Sequence, residues 1–457
     1  MQMTASRITR RLALCLCAAC STVALGACSN KPSLAITCAS TMTCESGPTA
    51  DAGAAVDGGL ASLATFTPPT DPGPGGILFA ASGEVLALTG YPFPPANAGD
   101  PAFVDGWDVH FSRLLVTIDN ITLSDGPNVR PGDESCTEPT VAKVSGPWAI
   151  DLAHSDPGYL PGKGGPGEQA VPIAALAHQN YPSGNSAPFD TSGATPYAFG
   201  FDMVPATTSA MNVNLDGPAL TDYAQMVAGG CSILYVGTAK FAGTSCTCPT
   251  PSAPNAACDP NIYGPGKWPQ VGDSVPFHLC FKSPTTLVNC QNPDNDPAQP
   301  LAGEEHERGI FFKSTSSVIG QVTVHTDHPF WDSVLHDSPA HFDQFAARVA
   351  GMEPAGQNVT YPTATLEMTK GVDYAAYQDT LGSTLNWRYC IAPPTDVHAQ
   401  FVGPMAFDPQ SIPRAAGSDA CQGLRDYYDF ATYDQSTQGH LNSDGLCYVA
   451  RHYPSPR

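Results

Sequence analysis

Trp107-Asp-Val-His-Phe-Ser-Arg-Leu-Leu-Val-Thr-Ile-Asp-Asn-Ile-Thr-Leu123 alternates apolar and polar residues, and it does so in two phases. Val109 and Phe111 set the first, and Leu114, Val116 and Ile118 set the second, one position out of step. Alternation of this kind marks a strand with one face in a core. A slip inside the run predicts a bulge or a hairpin corner. Further strand candidates are Trp148–Leu152, Tyr197–Val204, Cys231–Phe241, Val275–Phe281, Gly309–Phe312, Val318–His325 and Thr384–Cys390. Gly- and Pro-rich punctuation separates them. The expected fold class is therefore mainly β, an antiparallel β-sandwich-like body with two accessory helices and long Pro/Gly-rich loops.

The two helices are read from their caps and stripes. Ser338-Pro339 offers an N-cap with proline at the first helical position, followed by Phe342, Phe345, Ala346 and Val349 at helical spacing. Leu424, Tyr427, Tyr428 and Ala431 make a second stripe near the C-terminus. Both are simplest as packing faces.

Composition agrees with a folded, turn-rich protein. The 457 residues include 43 glycines and 45 prolines, yet 42% are hydrophobic and only 14% charged. There are 42 acidic against 20 basic residues, for a net charge of −22. Such a surface repels nucleic acid and anionic membrane and concentrates cations. The acids are scattered, so solubility alone also accounts for them.

An apolar run from Leu12 follows Arg7, Arg10 and Arg11 and ends in Leu25-Gly26-Ala27-Cys28. This order of basic start, apolar stretch and small residues resembles the lipobox signal of bacterial lipoproteins. The resemblance implies lipidation of Cys28, cleavage just before it, and a membrane tie through the N-terminal lipid alone. Ser29, where inner-membrane retention would favour aspartate, implies the outer membrane. An ordinary secretory cut after Ala27 is the rival reading. Along the chain, residues 1–27 then form a signal peptide and 28–75 a flexible tether. A β-rich first half covers 76–245, a Cys/Pro-rich connecting loop 246–270, and a β-rich second half with both helices 271–457.

Twelve cysteines remain after Cys28, an even number suited to disulfides in an oxidising compartment. Cys38 and Cys44 are expected to pair locally, and Cys280 with Cys290 across a hairpin. Cys246-Thr-Cys248 is too tight for a zinc hairpin, so a thiolate zinc site is not expected.

The histidines carry the main chemical signal. His306, His325, His328, His336 and His341 crowd into one stretch of the second half. If Val322 and Val324 enter the core, His325 faces the other way at the strand end. Pro329 favours an extended His328, and a turn through Thr326-Asp327 would bring the two imidazoles together. His341 is expected in the first turn of the Pro339 helix, where the helix dipole disfavours imidazolium. The expected metal ligands are His325, His328, His336 and His341, with Asp327, Asp337 and Asp343 accepting from their outer nitrogens. Imidazole-rich ligation suits copper or zinc better than calcium or magnesium.

Other motifs are weaker. Gly272-Asp273-Ser274 resembles the nucleophile block of GDS-type lipases, but Lys267-Trp-Pro-Gln precedes it and the last 60 residues offer no Asp-x-x-His. His306-Glu307 lacks the second histidine of a metalloprotease helix. Asp294-Asn295-Asp296 and Asn442-Ser443-Asp444-Gly445 stop short of a calcium loop. The favoured function is a non-enzymatic envelope binding protein for a transition metal. The rivals are a module binding an envelope polysaccharide or protein, with Trp107, Trp148, Trp268, Trp331 and Trp387 as stacking platforms, and a metal-dependent hydrolase.

Overall fold

The computed structural model describes residues 63–97, 100–128, 139–178, 188–243, 269–295, 306–331, 340–350, 352, 358–370 and 427–450. Within them the chain is mainly β, in two sheets of eleven and six strands. Strand Trp107–Ser124 is the axis of the larger sheet. It pairs antiparallel with Ile233–Phe241, which pairs antiparallel with Ser274–Phe281, so strands from both sides of the 246–270 loop share this sheet. Farther along, the axial strand takes Trp148–Asp151, Thr140–Val144 and Ala198–Met203 as partners, all antiparallel.

The phase slip is a bulge. Val236 stands opposite Arg113 and Gly237 opposite Phe111, which leaves Ser112 as the extra residue. Its hydroxyl donates to the Val236 carbonyl at 3.1 Å. The bulge lets Val109, Phe111, Leu114, Val116 and Ile118 enter one core, whereas a straight strand would send one set to the opposite face. Gly237 is needed here, because a Cβ would lie 2.2 Å from the His110 carbonyl oxygen.

Leu115, Ala149 and Leu234 emerge on the other face of the sheet and meet Ala219, Tyr223 and Met226 of helix Gly217–Gly229. The sequence reading misses this helix, the longest among the described residues. Its signals are end signals: Pro218 in the first turn, and Gly230, left-handed at φ 70°, whose N–H meets the Met226 and Val227 carbonyls. Of the two expected helices, one shortens to the single turn Asp343–Ala346 and the other spans Tyr427–Gln435. A short helix, Glu84–Thr89, makes a fourth among the described residues.

The smaller sheet runs Gly445–Leu446, Gly439–Leu441, Val318–Val324, Ile77–Ser82, Gln169–Leu176 and Leu160–Pro161. Ile77, Phe79, Val322 and Val324 face the larger sheet, where Phe79 meets Phe199 with ring centroids 6.2 Å apart. Each such buried side chain contributes about 1.5–3 kcal/mol. The packing is sandwich-like, with the long helix as an outer layer on the larger sheet.

Most pairings are antiparallel, but Val318–Val324 and Ile77–Ser82 run parallel, with Thr323 opposite Ser82. Parallel pairing demands a long connection, and here much of the larger sheet lies between the two strands in sequence. Both strands therefore end at the same edge of the sheet. Glu84 follows one end and His325 the other.

Two disulfides join described cysteines: Cys231–Cys280 and Cys290–Cys447, closing 49 and 157 residues. The expected Cys280–Cys290 staple does not form. Cys280 lies opposite Leu234 in the Ile233–Phe241 ladder, within reach of Cys231. Cys290 instead follows a strand, Thr285–Val288, that pairs with Tyr448–Ala450 just past Cys447. Cys38, Cys44 and the connecting-loop cysteines lie outside the described residues.

Candidate metal centre

His325, His328 and His440 each offer a ring nitrogen, and these atoms lie within 4.8 Å of one another. All three side chains are buried. The ring centroids of His325 and His440 are 4.0 Å apart, those of His325 and His328 5.4 Å, and those of His328 and His440 5.7 Å. Ligands about 2.0–2.1 Å from a shared ion stand about 3.4 Å apart in a tetrahedral shell, so shifts of about 1 Å complete the set.

Each imidazole has a local reason for its place. Val322 and Val324 point into the core, so Gln321, Thr323 and His325 occupy the opposite face, as the alternation predicts. His440 sits opposite Thr323 in the neighbouring antiparallel strand and so shares that face. The chain then turns at Thr326-Asp327, and His328 opens a 3-10 turn through Phe330 instead of extending before Pro329. Phe330 N–H donates to the Asp327 carbonyl at 2.8 Å, and this local closure prevails over the pre-proline preference.

The His328 ring is fixed on two sides. Trp331 stacks on it at 3.9 Å and 29°. Its Nδ1 lies 2.8 Å from the Thr437 hydroxyl, whose own proton goes to the Asp434 carbonyl at 2.7 Å. Nδ1–H is therefore the donor, which puts the lone pair of the neutral ring on Nε2.

Beside the trio lies a group of oxygens. His325 Nε2 is 3.4 Å from the Ser443 carbonyl, 3.5 Å from Glu84 Oε1 and 3.9 Å from Asp444 Oδ1. Asn442 and Ser443, both at positive φ, form the hairpin turn that presents Asp444. That turn accounts for the calcium-like fragment of the sequence. Burial alone would hold the His325 pKa down, but Glu84, Asp327 and Asp444 and the Ser443 carbonyl outweigh it and raise it above 6.5. Burial raises the Glu84 pKa against the pull of His325, and Asp327, Asp444 and Glu168 push it the same way.

Of the residues expected from sequence, His325, His328 and Asp327 come together; His336 and Asp337 lie outside the described residues. His341 is not in the group. The helix turn begins only at Asp343, so His341 precedes it and lies beside the buried carboxylate of Asp105. Asp343 accepts the Trp107 indole N–H at 2.8 Å and serves that cluster. Asp105 accepts the N–H groups of Phe342 and Asp343 at 2.6 and 2.8 Å. Burial and the neighbouring Asp343 nonetheless push its pKa up to about 7.

Sequence reading misses His440, Glu84 and Asp444. His440 lies far from the crowded stretch and only strand pairing reveals it. Glu84 carried a readable signal, the Ser82-Gly83 break after an apolar run. Among the other motifs, Asp273 is buried and accepts the Gln270 and Val359 N–H groups, which ties down the turn before Ser274. Trp107, Trp148 and Trp331 are buried and offer no stacking platform, while Trp268 and Trp387 lie outside the described residues.

No protein-family model, no characterised protein and no solved structure matches this chain. What the arrangement itself establishes is a buried histidine cluster able to hold a metal ion.

Proposed function

We propose that this protein is an exported, lipid-anchored envelope protein that binds one transition-metal ion, copper or zinc, through His325, His328 and His440. The observation that carries the reading is the convergence of three buried imidazoles from two strands and a turn. One nitrogen from each ring, all within 4.8 Å of one another, is close to the spacing that ligands of a common ion take. The donor set favours copper or zinc over calcium or magnesium, which take oxygen. All four described cysteines are in disulfides, so among the described residues imidazole and carboxylate are the available ligands. The lipobox-like Leu25-Gly26-Ala27-Cys28 supports the anchor, and Ser29 after it supports the outer membrane as location.

Metal analysis of the full chain purified from the envelope tests this reading. About one equivalent of copper or zinc that survives purification is expected, and the His328→Ala/His440→Ala variant should come through the same purification without it. A chain that neither carries nor takes up either ion overturns it.

A further inference from the structure

The Ser443 carbonyl lies 3.4 Å from His325 Nε2, at the long end of hydrogen bonding, and the two carboxylates beside it stand farther off. From Nε2, Glu84 Oε1 is 3.5 Å away and Asp444 Oδ1 3.9 Å. Good N–H···O bonds measure about 2.7–3.2 Å. Two ligands on a common ion, each about 2.0–2.2 Å from it, stand about 3.4 Å apart. The spacing of the nitrogen and the nearer carboxylate is that of co-ligands.

Exposure rises outward from the trio. The Asp444 side chain is 58% exposed, Glu84 19% and His325 9%, whereas His440 is fully buried. The two carboxylates are thus the more exposed ligand candidates beside His325, the residue they share with the buried trio. The charge here is negative: Asp327, Asp444 and Glu168 all lie close enough to Glu84 to repel a charge on it, and His325 is the group that attracts it. A divalent cation relieves that repulsion, and the acidic rim raises its local concentration.

We propose that Glu84, Asp444 and His325 form an outer site for a divalent transition-metal ion, from which the ion passes to the buried histidines. The proposal rests on the inner centre proposed above. His325 belongs to both groups, so the ion can change partners without leaving that residue. One imidazole with two carboxylates binds zinc more weakly than three imidazoles do, and partial exposure keeps the outer site exchangeable. When the ion binds, Nε2 gives up any proton it holds to solvent.

The test uses the full chain and Zn²⁺ alone. With His328→Ala/His440→Ala removing the inner centre, the chain should still bind one Zn²⁺ in the micromolar to millimolar range. Adding Glu84→Gln/Asp444→Asn should abolish that binding, and Ca²⁺ should not compete at equal concentration. In a chain with all three histidines, Glu84→Gln/Asp444→Asn should slow Zn²⁺ loading tenfold or more while the final amount bound stays the same. This rate decides the matter if the histidine variant does not fold. No weak binding, binding indifferent to Glu84 and Asp444, equal competition by Ca²⁺, or an unchanged loading rate overturns the outer site. A wild-type chain that takes up no Zn²⁺ or copper at all overturns the inner centre instead.

Discussion

The rings of His325 and His440 lie 4.0 Å apart because Val324 pairs with Gly439 in the smaller sheet. The two histidines are neighbours across a ladder that joins distant parts of the chain. Gly439 leaves room there for the Leu287 and Phe201 side chains, which would have to shift to admit a Cβ at 2.6 and 2.9 Å. The spacing of the candidate centre therefore depends on how the sheet packs as well as on its ligands.

His440→Ala should lower affinity for zinc about 100-fold or more, at least the upper loss seen when an outer partner of a ligand is removed. His341→Ala should leave zinc affinity unchanged while lowering stability. Zinc titration of the two variants beside urea unfolding separates the roles. Equal losses of zinc affinity would return His341 to the centre.

Deleting Ser112 should prevent folding. Without the extra residue, either Val109 and Phe111 or Leu114, Val116 and Ile118 turn away from the core. Ser112→Ala keeps the register and loses only the bond to the Val236 carbonyl, about 1 kcal/mol. Circular dichroism and urea unfolding of the two variants check the contrast.

Replacing Cys231 and Cys280 by serine should destabilise the body by about 2–4 kcal/mol, because the bridge limits the unfolded chain across a long loop. Cys290→Ser with Cys447→Ser should act similarly and also loosen the hairpin that carries His440. The comparison is between urea midpoints, with zinc affinity as the second readout.

Asp105 should make stability fall as pH rises. Its pKa is near 3.8 in an unfolded chain and about 7 when folded, so between these values the folded state holds a proton that the unfolded state has lost. Stability from this group is fully present below pH 3.8 and is lost as pH rises through about 7, at up to about 1.4 kcal/mol per unit. Relative to Asp105→Asn, the wild type should be more stable at pH 5 than at pH 8. Urea unfolding at both values measures the difference, and a gain in the opposite direction would contradict the assignment.

Cys28→Ser should block processing and move the protein out of the detergent-rich phase on partitioning. Wild-type chain cleaved after Ala27 and fully aqueous would remove the lipoprotein reading.

Local pattern was enough for some of this protein. The period-2 alternation of Trp107–Leu123, with its slip, marks a strand broken by a bulge or a corner, because side chains alternate faces whatever the neighbours, and pairing with Ile233–Phe241 made it a bulge. Val322 and Val324 likewise consign His325 to the opposite face, and the turn before Pro329 brings His328 back. These are properties of a few consecutive residues. The remaining decisions were not local. The parallel pairing of Ile77–Ser82 with Val318–Val324 placed Glu84 beside His325, and the ladder through Gly439–Leu441 supplied His440 in place of His341. Register across the same sheets separated Cys280 from Cys290. Neither strand partner nor disulfide partner can be read from spacing, since pairing is settled by which faces must be buried together. The sequence by itself determined a β-rich body and two of the three buried imidazoles; tertiary structure chose the third and the carboxylates around them, because only strand pairing brings residues that far apart in the chain to a common edge.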